Sequence, residues 1–138
     1  MKKIKTTIIP DSPTFTENRS DMLAKVDGLR RLEARPVAIS EKRRDRMHAR
    51  GQLTPRQRLA QLLDPGMPFL QLHSMAGYLC DTDDPETSVP GSSVILGVGF
   101  VSGTRCLVWV DDAGIKAGAM GARTIEAILS ALSIALRQ

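Results

Sequence analysis

Residues 92–110 read SSVILGVGFVSGTRCLVWV, and no other stretch of the chain restricts its fold as tightly. Two β-rich runs are joined by Ser102-Gly103-Thr104-Arg105, a polar, glycine-bearing break that fits a tight hairpin. In the first run Gly97 and Gly99 alternate with Val98 and Phe100, leaving one face of that strand without side chains. Something must pack closely there, either a helix or a neighbouring backbone.

The next stretch, DDAGIKAGAMGARTIEAILSALSIALRQ, places Ile125, Ile128, Leu129, Leu132 and Leu136 on one helical face, after a glycine-rich turn that holds Lys116. Phe69 to Leu72 fits one further short strand, and a polar, acidic loop is expected from Asp81 to Pro90. A hairpin and one helix are too little sheet to stand alone comfortably, so this part reads as the start of a larger architecture with marginal stability by itself.

Upstream, Pro10 and Pro13 mark residues 1–15 as an extended lead-in. Met22, Leu23, Val26, Leu29 and Leu32 give an apolar stripe to a helix over 18–33, which predicts a docked helix that Pro36 interrupts. A second helix is expected from an N-cap at Ser40 to Gly51, whose missing side chain suits the left-handed conformation that ends helices. Thr54-Pro55-Arg56-Gln57 is a capping box with proline in the first turn, so a third helix starts there, buries Leu59, Leu62 and Leu63, and stops at Asp64-Pro65-Gly66. Residues 16–66 thus form a helical arm, and a sheet-bearing domain begins at 67.

Charge narrows the functional classes. The net charge of +4 is concentrated in Lys42, Arg43, Arg44, Arg46, Arg50, Arg56 and Arg58, while Asp81, Asp83, Asp84 and Glu86 cluster further on. Aromatic residues are 4% of the chain and none interleaves with the arginines, so base stacking is unsupported and nucleic acid is not the expected partner. Two cysteines, Cys80 and Cys106, stand without paired Cys or His spacing, which argues against a zinc site or a disulfide framework. With no secretory leader pattern and no membrane-length apolar run, the expected location is cytoplasmic.

The turn after Trp109-Val110 carries the most chemical promise. A strand that passes through small residues into a helix N-terminus presents unpaired N–H groups and a positive dipole end, able to hold a phosphate or polarise a carbonyl. Gly114, Gly118 and Gly121 allow close approach and Lys116 adds a charge, although the spacing fits neither a Walker loop nor a dinucleotide fingerprint. On these residues alone, the plainer reading is that the glycines merely serve the turn. Asp111 and Asp112 point apart as neighbours on a strand, so a turn-capping role is expected of one of them rather than acid–base pairing. His48 and His73 read as structural.

Taken together, RMHARGQLTPRQRLAQLLDPGMPFLQL and VPGSSVILGVGFVSGTRCLVWVDDAGIKAGAMG resemble the N-terminal region of the carboxyltransferase (β) subunit of biotin-dependent acyl-CoA carboxylases, of the methylcrotonyl-, geranyl- and propionyl-CoA type. The family pattern is matched at Arg46, Ala49, Arg50, Gly51, Leu53, Arg56, Arg58, Leu62, Leu63, Asp64, Pro65, Gly66 and Phe69. The chain departs from it where Lys116-Ala117-Gly118-Ala119 replaces Lys-Gly-Gly-Thr, and where Asp111-Asp112 replaces Asn-Asp.

The resemblance implies an α/β fold, a partial crotonase-like (ClpP/crotonase) carboxyltransferase N-domain over 67–138 preceded by the helical arm. It implies transfer of CO2 from carboxybiotin on a biotin-carrying alpha subunit to an acyl-CoA, in a homo-oligomer when full length, with no cofactor bound directly. It also implies that Ala113, Gly114, Lys116 and Gly118 line the acyl-CoA pocket, that the glycine-pair oxyanion hole lies beyond Gln138, and that the basic helix serves assembly or faces CoA phosphates. The alternatives are a non-catalytic acyl-CoA-binding or assembly module, or an inactive truncated gene product.

Overall fold

A computed structural model describes residues 6–138, which divide after Arg31 into two units. Helix α1, Pro13–Glu41, begins inside the expected lead-in. In the first unit Met22, Leu23 and Leu29 of the anticipated docked stripe are exposed, since a single helix has no second layer on which to bury it.

In the second unit α1 runs through Pro36, where the sequence predicted a break. Proline withdraws one helical donor and ordinarily ends a helix. Here tertiary packing overrides that rule. Pro36 is buried beside Gly91, the Arg35 guanidinium donates to the carbonyls of Pro85 and Ser88, and Ser40 is buried one turn further on. Ser40 is therefore a tertiary anchor inside α1 and not the N-cap of a second helix. The basic helix shortens to α2, Arg44–His48, and Gly51 takes φ 69° as anticipated.

Helix α3, Pro55–Leu62, starts on the expected capping box. The Gln57 amide donates to Thr54 Oγ1 at 3.3 Å, and Thr54 N donates to Gln57 Oε1 at 2.8 Å. Leu59 is buried and Leu63 half-buried, but Leu62 faces solvent.

Strands β1 (Leu70–Leu72), β2 (Val94–Val101) and β3 (Thr104–Asp111) form an antiparallel sheet in that order. Val101 pairs with Thr104, so the hairpin loop is only Ser102-Gly103, and Thr104 and Arg105 already belong to β3. Both loop residues have positive φ, 50° and 76°, as the two-residue turns that match strand twist require. The Asp64 carboxylate holds this turn, accepting from Ser102 N and Gly103 N at 2.7 Å each.

Alternation along β2 divides the core between the two faces of the sheet. Val94 and Leu96 pack with Ala127, Ile128 and Ala131 of α4 (Ala122–Arg137), while Ile95 and Val108 pack with Leu59 of α3. On the α3 side, the bare surface at Gly97 and Gly99 is filled by Phe69 and Leu63. A Cβ at Gly97 would lie 2.2 Å from Phe69 Cζ and 2.7 Å from Leu70 O. Burial of each large aliphatic side chain contributes about 1.5–3 kcal/mol.

Helix α4 turns only part of its apolar face to the core. Of Ile125, Ile128, Leu129, Leu132 and Leu136, only Ile128 is buried; Leu129 is 61% and Leu136 89% exposed. The buried stripe is Thr124, Ala127, Ile128 and Ala131, because small residues let the helix approach the sheet closely. The acidic loop also differs locally: Ser88 and Pro90 within 81–90 are buried, and Ser88 Oγ accepts from Leu79 N at 2.8 Å. No helix among the described residues is long and apolar enough to cross a membrane.

Candidate functional site

The turn that follows β3 is built on Asp112. Its amide donates to Ser93 O at 2.8 Å, and its buried carboxylate Oδ1 accepts from Ser40 Oγ at 2.7 Å and from Gly114 N at 2.9 Å. This is the turn-capping aspartate that the sequence suggested. Asp111 points away and accepts from Trp109 Nε1 at 2.8 Å. Gly114 is required by close approach, because a Cβ there would sit 2.6 Å from Ser40 Cα.

Beyond buried Ile115 the backbone winds left-handed through Lys116, Ala117 and Gly118, at φ 45°, 55° and 79°. Non-glycine residues in this region cost about 1–3 kcal/mol each and persist only where their surroundings enforce them. Here Gly118 N donates to Ile115 O at 2.8 Å and Ala119 N to Lys116 O at 3.1 Å.

The turn separates two hollows. The larger, about 420 Å³, is walled by Ile39, Ala76, Val89, Ile115 and Ala119 together with the first turn of α4. That helix starts from Gly121 with no side-chain cap, so its positive end opens on a mostly apolar space. Lys116 also lines it and donates to Asp81 Oδ2 at 3.1 Å; this hydrogen bond holds the Asp81 carboxyl below its usual range. Arg123, in the same wall, is bonded to Glu126 Oε2 at 2.7 Å, which raises its pKa further.

The smaller hollow, about 270 Å³, is lined by Arg43, Arg46, Met47, Arg50 and Gln52 against Ala113 and Ala117. The four residues singled out from the sequence are thus distributed. Lys116 lines the apolar hollow and Ala113 the arginine-lined one. Gly114, its N–H already bonded to Asp112, lines neither of these two, and nor does Gly118. Ser40, which fixes the turn from 72 positions away, and the convergence of α2 on Ala113 carried no local signal. His48 Nε2 lies 2.9 Å from Gln57 Oε1, and neither histidine lines either hollow.

Residues 46–138 match the family described as the carboxyl transferase domain. The chain is 34% identical over 126 residues, 91% of its length, to the biotin-dependent 3-methylcrotonyl-coenzyme A carboxylase beta1 subunit of Mycobacterium tuberculosis, and spans 23% of that protein. It is 34% identical over 125 residues, 90% of its length, to a probable mitochondrial methylcrotonoyl-CoA carboxylase beta chain of Drosophila melanogaster, spanning 21% of it. Among solved structures, the beta subunit of P. aeruginosa geranyl-CoA carboxylase superposes with a TM-score of 0.84 at 37% identity, over 96% of this chain and 24% of that one. Transcarboxylase 12S, with methylmalonyl-coenzyme A and methylmalonic acid bound, gives 0.62 at 25%, over 87% and 22%. The chain therefore spans about a quarter of the length of these proteins.

Proposed function

The chain belongs to the carboxyl transferase domain family, with the partial crotonase-like fold of acyl-CoA carboxylase β subunits, and from that membership we propose that it supplies the acyl-CoA half-site of such an enzyme. The observation that carries this reading is the uncapped start of α4 opening on an apolar hollow beside Lys116. Backbone N–H donors at a helix N-terminus are suited to a thioester oxygen that gains negative charge, and the apolar walls suit the acyl chain. Carboxybiotin, borne by a partner alpha subunit, supplies the carboxyl group once the rest of the carboxyltransferase completes the site. Within the described residues the tasks are to bind and orient the thioester and to exclude water. Lys116 lends positive charge and Ile115 and Ala119 shape the wall of the apolar hollow, while Ala113 lies in the arginine-lined hollow and Gly114 serves the turn that holds them. In its full-length form the reading places the protein in a homo-oligomer, and in the cytoplasm.

Titration calorimetry with acetyl-, propionyl- and a longer branched acyl-CoA tests this, using the wild-type chain and an Ala119→Trp variant that fills the hollow. Affinity that depends on the acyl group and is lost in Ala119→Trp is the expected result. Affinity blind to the acyl group, or unchanged by the tryptophan, would overturn it.

A further inference from the structure

We propose that Asp81 and Lys116 form a latch across the mouth of the apolar hollow, which opens to admit an apolar molecule. The hollow lies mainly between two segments of the chain, 76–93 and 115–124. Among the described residues two side-chain hydrogen bonds span the gap between these segments, and they differ in kind. Ser93 Oγ donates to Ala119 O at 2.7 Å, and Ser93 is only 4% exposed. Lys116 Nζ donates to Asp81 Oδ2 at 3.1 Å, with 67% and 43% of the two side chains exposed.

That difference decides which bond gives way. A buried neutral hydrogen bond is costly to break, because its groups would be left without a partner. An exposed ion pair loses little on opening, since both ions are already largely hydrated and salt screens their attraction. The walls therefore stay fixed at the Ser93 end, while the Lys116 end is free to open. The turn also holds the Lys116 backbone in its left-handed conformation, so opening is a swing of the flexible lysine stem and not of the wall. Among the described residues Asp81 is the one acidic member of the lining, and Arg123, the other cation there, is bonded to Glu126. Lys116 thus has a single carboxylate in the lining to return to.

While the pair is closed its charges cancel, and the hollow gains no net positive charge from Lys116. Opening presents the ammonium to an oxygen of the molecule that has entered. The inference deepens the acyl-CoA reading and rests on it only for the identity of that molecule.

The test is stopped-flow association of the neutral apolar fluorophore N-phenyl-1-naphthylamine with the whole chain, beside titration with an acyl-CoA. The variants are Asp81→Asn, Lys116→Met and the two combined, with Ala119→Trp to fill the hollow. Asp83→Asn, exposed in the same loop and outside the lining, controls for loop charge. The expected result is association about two- to fivefold faster in Asp81→Asn and in Lys116→Met, no further gain in the double variant and no change in Asp83→Asn. Added salt should speed the wild type and not the variants that lack the pair. Binding should be lost in Ala119→Trp.

Rates unmoved in Asp81→Asn, or an equal gain in Asp83→Asn, overturn the latch. So does an Asp81→Asn gain that persists in the Lys116→Met background, since Asp81 would then act without Lys116. A fluorophore that fails to bind, or binds equally well in Ala119→Trp, overturns it too, because the hollow is then not where apolar molecules enter. The expected fluorophore rates without acyl-CoA binding keep the latch and overturn the acyl-CoA reading. Acyl-CoA that displaces the fluorophore, with rates unmoved in Asp81→Asn, overturns the latch and keeps that reading.

Discussion

Ser40 Oγ donates to Asp112 Oδ1 at 2.7 Å in a fully buried setting, joining the last turn of α1 to the turn that carries the candidate site. Oδ2 of the same carboxylate has no partner among the described residues, so there Ser40 Oγ and Gly114 N supply the side chain's hydrogen bonds. Ser40→Ala is expected to cost about 1–3 kcal/mol, the penalty for stripping a buried polar group of a partner. Gly114→Ala is expected to cost a similar about 1–3 kcal/mol through overlap with Ser40 Cα, which is backbone and cannot rotate away. Since the two residues touch, their effects should not add in a denaturation double-mutant cycle. Strict additivity would show that the contact is not shared.

Asp64 performs a comparable task at the surface. Its carboxylate accepts from Ser102 N and Gly103 N, and its own amide donates to Phe100 O at 2.9 Å, so the end of α3 is tied to the hairpin. Asp64→Ala is expected to lower unfolding free energy by about 1–2 kcal/mol, with Asp64→Asn between it and wild type because one acceptor oxygen remains. The check is the urea midpoint at constant slope. An unchanged midpoint for Asp64→Ala would mean that Ser102-Gly103 holds its geometry unaided.

Where the determinants were local, the sequence was legible. The Thr54–Gln57 capping box and the hairpin turn act over a few residues, so spacing alone exposed them, whereas spacing led to a turn-capping aspartate without choosing between Asp111 and Asp112. Gly97 and Gly99 announced a close neighbour but not its identity, since Phe69 arrives from another segment. The errors share one cause, which is tertiary packing overriding a local rule. Pro36 continues α1 because a loop buries it. Ser40 resembles an N-cap in sequence yet bonds 72 residues away. On α4, periodicity revealed apolar residues but could not say that the stripe with alanines would face the sheet. The site was legible as a turn; its two hollows depend on what α2 and α4 bring to either side.

Protonation of Asp81 offers a readout of the Lys116 contact. The hydrogen bond from Lys116 leads the causes that lower the Asp81 pKa, and slight burial opposes it. A carboxyl with a depressed folded pKa adds stability that is present above its unfolded value and lost as pH falls through the folded value, here below about pH 4. The pair is largely exposed, so the effect on stability is small, but the titration itself is measurable by NMR. Lys116→Met should move the Asp81 midpoint upward, whereas Arg35→Gln should leave it in place. A midpoint unmoved in Lys116→Met would show that the pair does not form in solution.

The two faces of α4 should respond oppositely to substitution. Ile128 is packed on Val94 and Leu96, so Ile128→Ala is expected to cost about 2–5 kcal/mol through lost burial and the cavity left behind. Leu129 and Leu136 touch water, and Leu129→Lys or Leu136→Lys should stay within about 0.5 kcal/mol of wild type, because an exposed apolar side chain contributes no burial to lose. Both lysines should also lower any tendency to self-associate, since they interrupt an apolar face. Chemical denaturation of the three variants beside sedimentation of the wild type decides the matter. If Leu129→Lys destabilised the chain as much as Ile128→Ala, with a loss that grew with protein concentration, the outer face of α4 would be buried between chains in solution, and its exposure would belong to the single chain alone.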